Sequence, residues 1–151
     1  MIWLLLVVYQ IKHFLADYPL QGRYMLGKFK PFPQFILPLL SHGLVHGLFT
    51  FFIALYLKPW DVAMALGIFD MTIHSVVDWV KANPSIGGRF AALSKNEMGT
   101  ILSYVPTLGE AEVKTKFGDQ LKSNTYFWWA LGADQMAHHL THYAIIWALM
   151  P

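Results

Sequence analysis

Residues 70–78 read Asp70-Met71-Thr72-Ile73-His74-Ser75-Val76-Val77-Asp78, and residues 134–142 read Asp134-Gln135-Met136-Ala137-His138-His139-Leu140-Thr141-His142. In both stretches ionisable residues recur at every fourth position inside apolar sequence. An α-helix turns once per 3.6 residues, so this spacing stacks them on one helical face. Two further pairs share it, His13 with Asp17 and His42 with His46. An uncompensated ionised group in an apolar helix costs several kcal/mol. Four helical segments carrying that cost point to one shared polar site, and a metal ion is its natural occupant.

The composition around these segments is that of an integral membrane protein. Of 151 residues, 56% are hydrophobic and 13% charged, against roughly 25% charged in soluble domains, and the mean hydropathy is +0.42. The absence of cysteine excludes disulfides, thiolate nucleophiles and Cys-ligated zinc, leaving nitrogen and oxygen ligands. A net charge of +2 gives no footing for nucleic acid as a partner.

A spanning helix needs about 20 mostly apolar residues. The expected fold is an all-α, single-domain bundle of four transmembrane helices over residues 1–151, with spans at about 1–20, 34–57, 60–80 and 126–150. The first is short and contains Lys12 and Pro19. The second carries Pro38 in its first turn, where a missing N–H is tolerated. Lys58 and Pro59 alone join it to the third. Trp128, Trp129 and Trp147 suit the two interfaces. Arg23, Lys28 and Lys30 lie in the first connection, and Lys81, Arg89, Lys95, Lys114, Lys116 and Lys122 in or beside the long loop 82–125. The positive-inside rule puts both basic connections in the cytoplasm and both termini on the non-cytoplasmic side of the inner, cytoplasmic membrane. A cleaved signal peptide does not fit the first span, which lacks a basic leader and a small-residue cleavage site. Within the long loop, Phe90, Leu93, Met98, Ile101 and Leu102 are spaced for an interfacial helix over 90–104, and a polar linker is the alternative.

A lone His on an apolar helix is usually a hydrogen-bonded core residue. Here seven histidines fall in the apolar segments and none in the long loop. The expected metal ligands are His42, His46, His74, Asp78, His138 and His142. His13 and Asp17 complete a second site or orient the first, and Gln135 and the outlying Asp70 stand behind the ligands. This donor set suits Zn, Mn or Fe, as one or two divalent ions. A metal-activated water would need a general base, for which Asp17 and Asp134 are the candidates. His139 is offset by one residue and points to another face. Gly43 and Gly47 suggest close helix packing beside the histidines. A Ser/His/Asp triad through Ser41 or Ser75 is disfavoured, because each serine adjoins its histidine in sequence and points elsewhere on the helix. Haem is disfavoured by the carboxylates one turn from most histidines.

His13-Phe14-Leu15-Ala16-Asp17-Tyr18-Pro19-Leu20-Gln21 resembles the opening signature of the domain-of-unknown-function 3307 family, small membrane proteins of bacteria and their phages. Leu40-Ser41-His42-Gly43-Leu44-Val45-His46, His74-Ser75-Val76-Val77-Asp78-Trp79-Val80-Lys81 and Asp134-Gln135-Met136-Ala137-His138 resemble its later motifs in the same order. The resemblance implies that Gln21 and Lys81 act with the His/Asp set, and it implies no substrate. The expected function is a membrane-embedded, metal-dependent hydrolase whose partners are membrane lipid and a lipid-linked or membrane-anchored substrate, with homo-oligomerisation left open. The alternatives are a metal-ion or proton carrier, which needs polar residues through the whole depth, and a non-enzymatic adaptor held together by the His/Asp network.

Overall fold

The apolar segments fold as helices whose ends follow local chemistry. In the computed structural model, which describes residues 1–22, 24–30, 32–83, 86 and 123–151, α1 spans Ile2–Asp17, α2 Ile36–Leu55, α3 Trp60–Ala82 and α4 Thr125–Leu149. A 3₁₀ turn, Met25–Phe29, lies between α1 and α2. Among the described residues there is no strand. Arg23 and the expected interfacial helix over 90–104 lie outside the described residues.

Pro19 has no N–H with which to continue the hydrogen-bond ladder, so α1 stops at Asp17, with Tyr18 as its C-cap, and not at residue 20. With 16 residues it is about 24 Å long at about 1.5 Å per residue, short of the roughly 30 Å hydrocarbon core. Pro38 is the third residue of α2, where its missing N–H would have had no intrahelical partner. Asn124 caps α4, its Oδ1 accepting from the N–H groups of Tyr126 and Phe127 at 3.0 and 3.3 Å. Among the described residues two helices, α2 and α3, are long and apolar enough to cross a membrane.

The chain divides into two compact units, Met1–Trp79 with Met136–Pro151, and Val80–Gln135. The first unit is polar inside and apolar outside. Its interior is layered. Leu5, Tyr9, Ala54, Ala63, Ile145, Ile146 and Leu149 form an apolar cluster at one end, where the start of α1 and the end of α2 meet the start of α3 and the end of α4. One turn further in lie Lys12, Thr50, Asp70 and His142, all buried. Beyond them come the buried His13, His42, His46, His74, Asp78 and His138. The outer faces carry Trp3, Leu4, Val7, Ile11 and Phe14 on α1 and Leu140, Tyr143 and Trp147 on α4, all exposed.

Helices α2 and α3 approach closely at glycine. A Cβ on Gly47 would lie 2.7 Å from the Gly67 carbonyl oxygen and 2.9 Å from Met71 Cβ, and one on Gly67 would lie 2.9 Å from the Gly47 carbonyl. Gly43 faces Ser75 and the Met71 carbonyl in the same seam. This reciprocal contact holds the His42/His46 turn against the His74 turn. Gly47→Val should therefore force the helices apart and cost about 1–3 kcal/mol. Gly132→Ala, whose added methyl meets nothing within 4 Å, should show no such loss, and unfolding of both variants in detergent measures the difference.

Candidate metal centre

Each helix of the first unit contributes ligating side chains to one level. On α2, His42 and His46 are one turn apart, and on α3 His74 and Asp78 are likewise one turn apart. The His46 ring stacks on His74 at a centroid distance of 3.4 Å, and His74 stacks on His138 at 3.9 Å. His13 stands edge-on to His46 and His74, at 5.6 and 6.0 Å.

The donor atoms meet around Asp17. Its Oδ1 lies 3.0 Å from His46 Nε2, 3.3 Å from His42 Nε2 and 3.9 Å from His74 Nε2. His42 Nε2 and His74 Nε2 are 3.2 Å apart. The other Asp17 oxygen is 3.2 Å from His13 Nε2. Ligand atoms bound tetrahedrally at about 2.0–2.1 Å sit about 3.3 Å from one another, so the spacing of this set matches a small divalent ion's coordination shell. The Nδ1 atoms of His42, His46 and His74 are buried with no hydrogen-bond partner among the described residues. The bonding these rings display is therefore on the Nε2 side, facing the cluster. Metal-bound histidines usually hand their second N–H to an outer acceptor, and that support is absent among the described residues.

Asp17, His42, His46 and His74 could hold a metal ion, as could His74, Asp78 and His138, or His13, His46 and His142. The three groups share residues, and two are encumbered by lysine. Lys28 Nζ donates to Asp78 Oδ2 at 2.6 Å, and Lys12 Nζ lies 3.2 Å from His142 Nε2. Among the described residues the first group has no lysine hydrogen-bonded to its carboxylate, so it is the one best suited to a cation.

Asp70 and Asp134 are also paired with lysine. Asp70 Oδ2 accepts from Lys12 Nζ and from Thr50 Oγ1 at 2.5 and 2.6 Å, which places Asp70 in the layer behind the histidines. Asp134 belongs to the second unit, where its Oδ2 accepts from Lys81 Nζ at 2.7 Å and from Gln135 at 3.1 Å. Gln21, with its amide nitrogen turned to the Asp17 carbonyl, donates to it at 2.6 Å and accepts from Lys28 Nζ at 3.3 Å. His139 is half-buried and its Nδ1 meets Gln10 Nε2 at 3.2 Å, a link between α1 and α4.

Sequence reasoning missed Lys12, Lys28 and Thr50 as parts of this network. Lys12 was visible as a lone charge in an apolar stretch. Lys28 carried no signal, since it sits among other basic residues of a connection.

A family model described as "Protein of unknown function (DUF3307)" matches residues 5–150. No curated protein and no solved structure matches the chain.

Removing one partner of a buried ion pair leaves the other charge uncompensated, at a cost of about 3–5 kcal/mol. Lys12→Met should lose that much stability. Lys12→Met combined with Asp70→Leu should recover part of it, and denaturant unfolding of the wild type, both single variants and the double variant in detergent completes the double-mutant cycle.

Proposed function

We propose, for a chain that belongs to the DUF3307 family of proteins of unknown function, a metal-dependent hydrolase embedded in the membrane and acting on a lipid-linked or membrane-associated substrate. The observation that carries this reading is the convergence of His42, His46 and His74 Nε2 on Asp17 Oδ1 at 3.0–3.9 Å. Neutral imidazoles and a carboxylate sharing so small a volume are best satisfied by a divalent cation, of which zinc, manganese and iron fit the donor types. All four helices cross the bilayer in this reading. The apolar outer faces of α1 and α4, with Trp3 79% and Trp147 81% exposed, support lipid contact, as do the two apolar helices α2 and α3. The basic connections favour both termini on the non-cytoplasmic side.

His42, His46, His74 and Asp17 are the ligands. A divalent ion held there would lower the pKa of its water towards neutrality and polarise the bond to be cleaved. Asp17, 15% exposed in its side chain, is more open than the histidines and marks the side from which water and substrate arrive. Asp78 Oδ2, 3.4 Å from His42 Nε2, takes the proton of the attacking water as general base, and Lys28 fixes its orientation. Asp70 and Lys12 hold the layer beneath the ligands. The apolar cluster of Leu5, Ala54, Ala63, Ile145, Ile146 and Leu149 closes the far end of the unit. A hydrolase accommodates such closure, whereas a carrier needs a polar route through it.

Protein purified in detergent micelles should retain about one equivalent of metal, falling below roughly a tenth in His46→Ala and His74→Ala, because each removes a ligand. Less than a stoichiometric equivalent, unaffected by His46→Ala, would refute the metal centre. Metal retention should also fall on acidification, because protons compete with the cation for the imidazole nitrogens. Metal-dependent turnover is read from a panel of short-chain lipid esters and lipid phosphates, and its absence across that panel with metal bound counts against hydrolysis.

A further inference from the structure

We infer that Lys28 forms an anion subsite beside the metal centre, and that the substrate is a phosphate ester of a membrane amphiphile. The inference rests on the metal-hydrolase reading and adds to it the class of substrate.

The first support is placement. Lys28 lies on the short 3₁₀ turn Met25–Phe29, yet it is only 6% exposed. A Cβ on Gly27 would lie 2.9 Å from Pro38 Cγ, so the absence of a side chain there lets the turn dock tightly on the start of α2. That docking carries the neighbouring Lys28 side chain inward. Its Nζ is 2.6 Å from Asp78 Oδ2, and the same Asp78 oxygen is 3.4 Å from His42 Nε2. The ammonium thus sits one carboxylate away from the ligand set, at the end remote from the apolar cluster.

The second support is charge. In the buried cluster of the first unit Lys12 offsets Asp70 and Lys28 offsets Asp78, while Asp17 faces imidazoles. With neutral histidines these described residues together carry one negative charge. A divalent ion would turn that into one positive charge, and an uncompensated buried charge is costly. One anion restores neutrality. A phosphate ester in its singly ionised form meets this requirement and also carries a hydrolysable bond at its anionic centre, which a carboxylate amphiphile does not. One phosphoryl oxygen would face the metal and another Lys28 Nζ, a charge-assisted contact. In the reaction a water oxygen forms a new bond to phosphorus while the ester P–O bond breaks. The water's proton, taken up by Asp78, passes to the departing alkoxide, so that ester and water give alcohol and phosphate.

The test uses the full chain in detergent micelles, loaded with zinc, as wild type, Lys28→Met and Lys28→Arg. Zinc content, binding of inorganic phosphate and binding of dioctanoyl phosphatidic acid are measured on each. The expected result is one zinc in all three. Both probes should bind the wild type, weaken about ten- to a hundredfold in Lys28→Met, as for loss of a hydrogen bond to a charged group, and recover to within a few-fold in Lys28→Arg. Phosphatidic acid should displace inorganic phosphate. Unchanged binding in Lys28→Met overturns the subsite, as does loss of zinc in that variant, which would make Lys28 a support of the ligands. Binding of inorganic phosphate without phosphatidic acid overturns the amphiphile, and equal binding of octanoate overturns the phosphate class. A wild type that takes up no zinc instead refutes the metal centre beneath the inference.

Discussion

Asp17 places a carboxylate oxygen 3.0 Å from His46 Nε2 and 3.3 Å from His42 Nε2, inside a unit whose outer surface is apolar. The organisation of the first unit follows from the need to satisfy that group. Each helix turns its ionisable stripe inward because the alternative is to present charge to an apolar surrounding, at several kcal/mol per group. The unit is accordingly built inside out, with Lys, Asp and His buried and Trp, Leu and Phe exposed. The histidines do not simply fill space. Their Nε2 atoms gather at coordination distances, and a cation is what such a gathering of lone pairs best accepts.

The glycine seam between α2 and α3 makes the gathering possible. Stacking His46 on His74 at 3.4 Å requires the two helices to approach more closely than any side chain at Gly47 or Gly67 would permit. Behind the histidines, the Lys12–Asp70 pair and Thr50 form a neutral polar floor, and the apolar cluster seals the unit beyond it. The His/Asp cluster thereby lies towards the end where Asp17, Gln21 and Lys28 sit, the end at which α1 leaves its helix at Pro19 and the chain turns back towards α2.

Much of this was readable from spacing. The i, i+4 pairs His13/Asp17, His42/His46 and His74/Asp78 needed only the helical period to be placed on common faces, and the apolar runs around them became helices within a few residues of the expected spans. Residues 34–57 contain Ile36–Leu55, and residues 60–80 extend to Ala82. The first helix ended early because Pro19 has no N–H to donate. What spacing could not supply was pairing between helices. Lys12 finds Asp70 at 58 residues' separation and Lys28 finds Asp78 at 50. Lys28 looked like one more basic residue of a connection, because nothing in a sequence distinguishes a lysine that counts towards membrane orientation from one folded inward by a neighbouring glycine.

The sequence by itself determined the class of the protein: helical, apolar, free of cysteine, with its ionisable residues on helical stripes that call for a shared polar interior. Those properties are local, set by composition and by the 3.6-residue turn. Only the tertiary structure decided which atoms meet. Asp17 joins His42, His46 and His74 while Asp78 and Asp70 are taken by lysines, because these choices depend on how closely α2 and α3 pack and on where the turn at Gly27 docks. Contact between distant segments is a property of three-dimensional packing, and it distinguishes a carboxylate that could take a metal from one already paired with lysine.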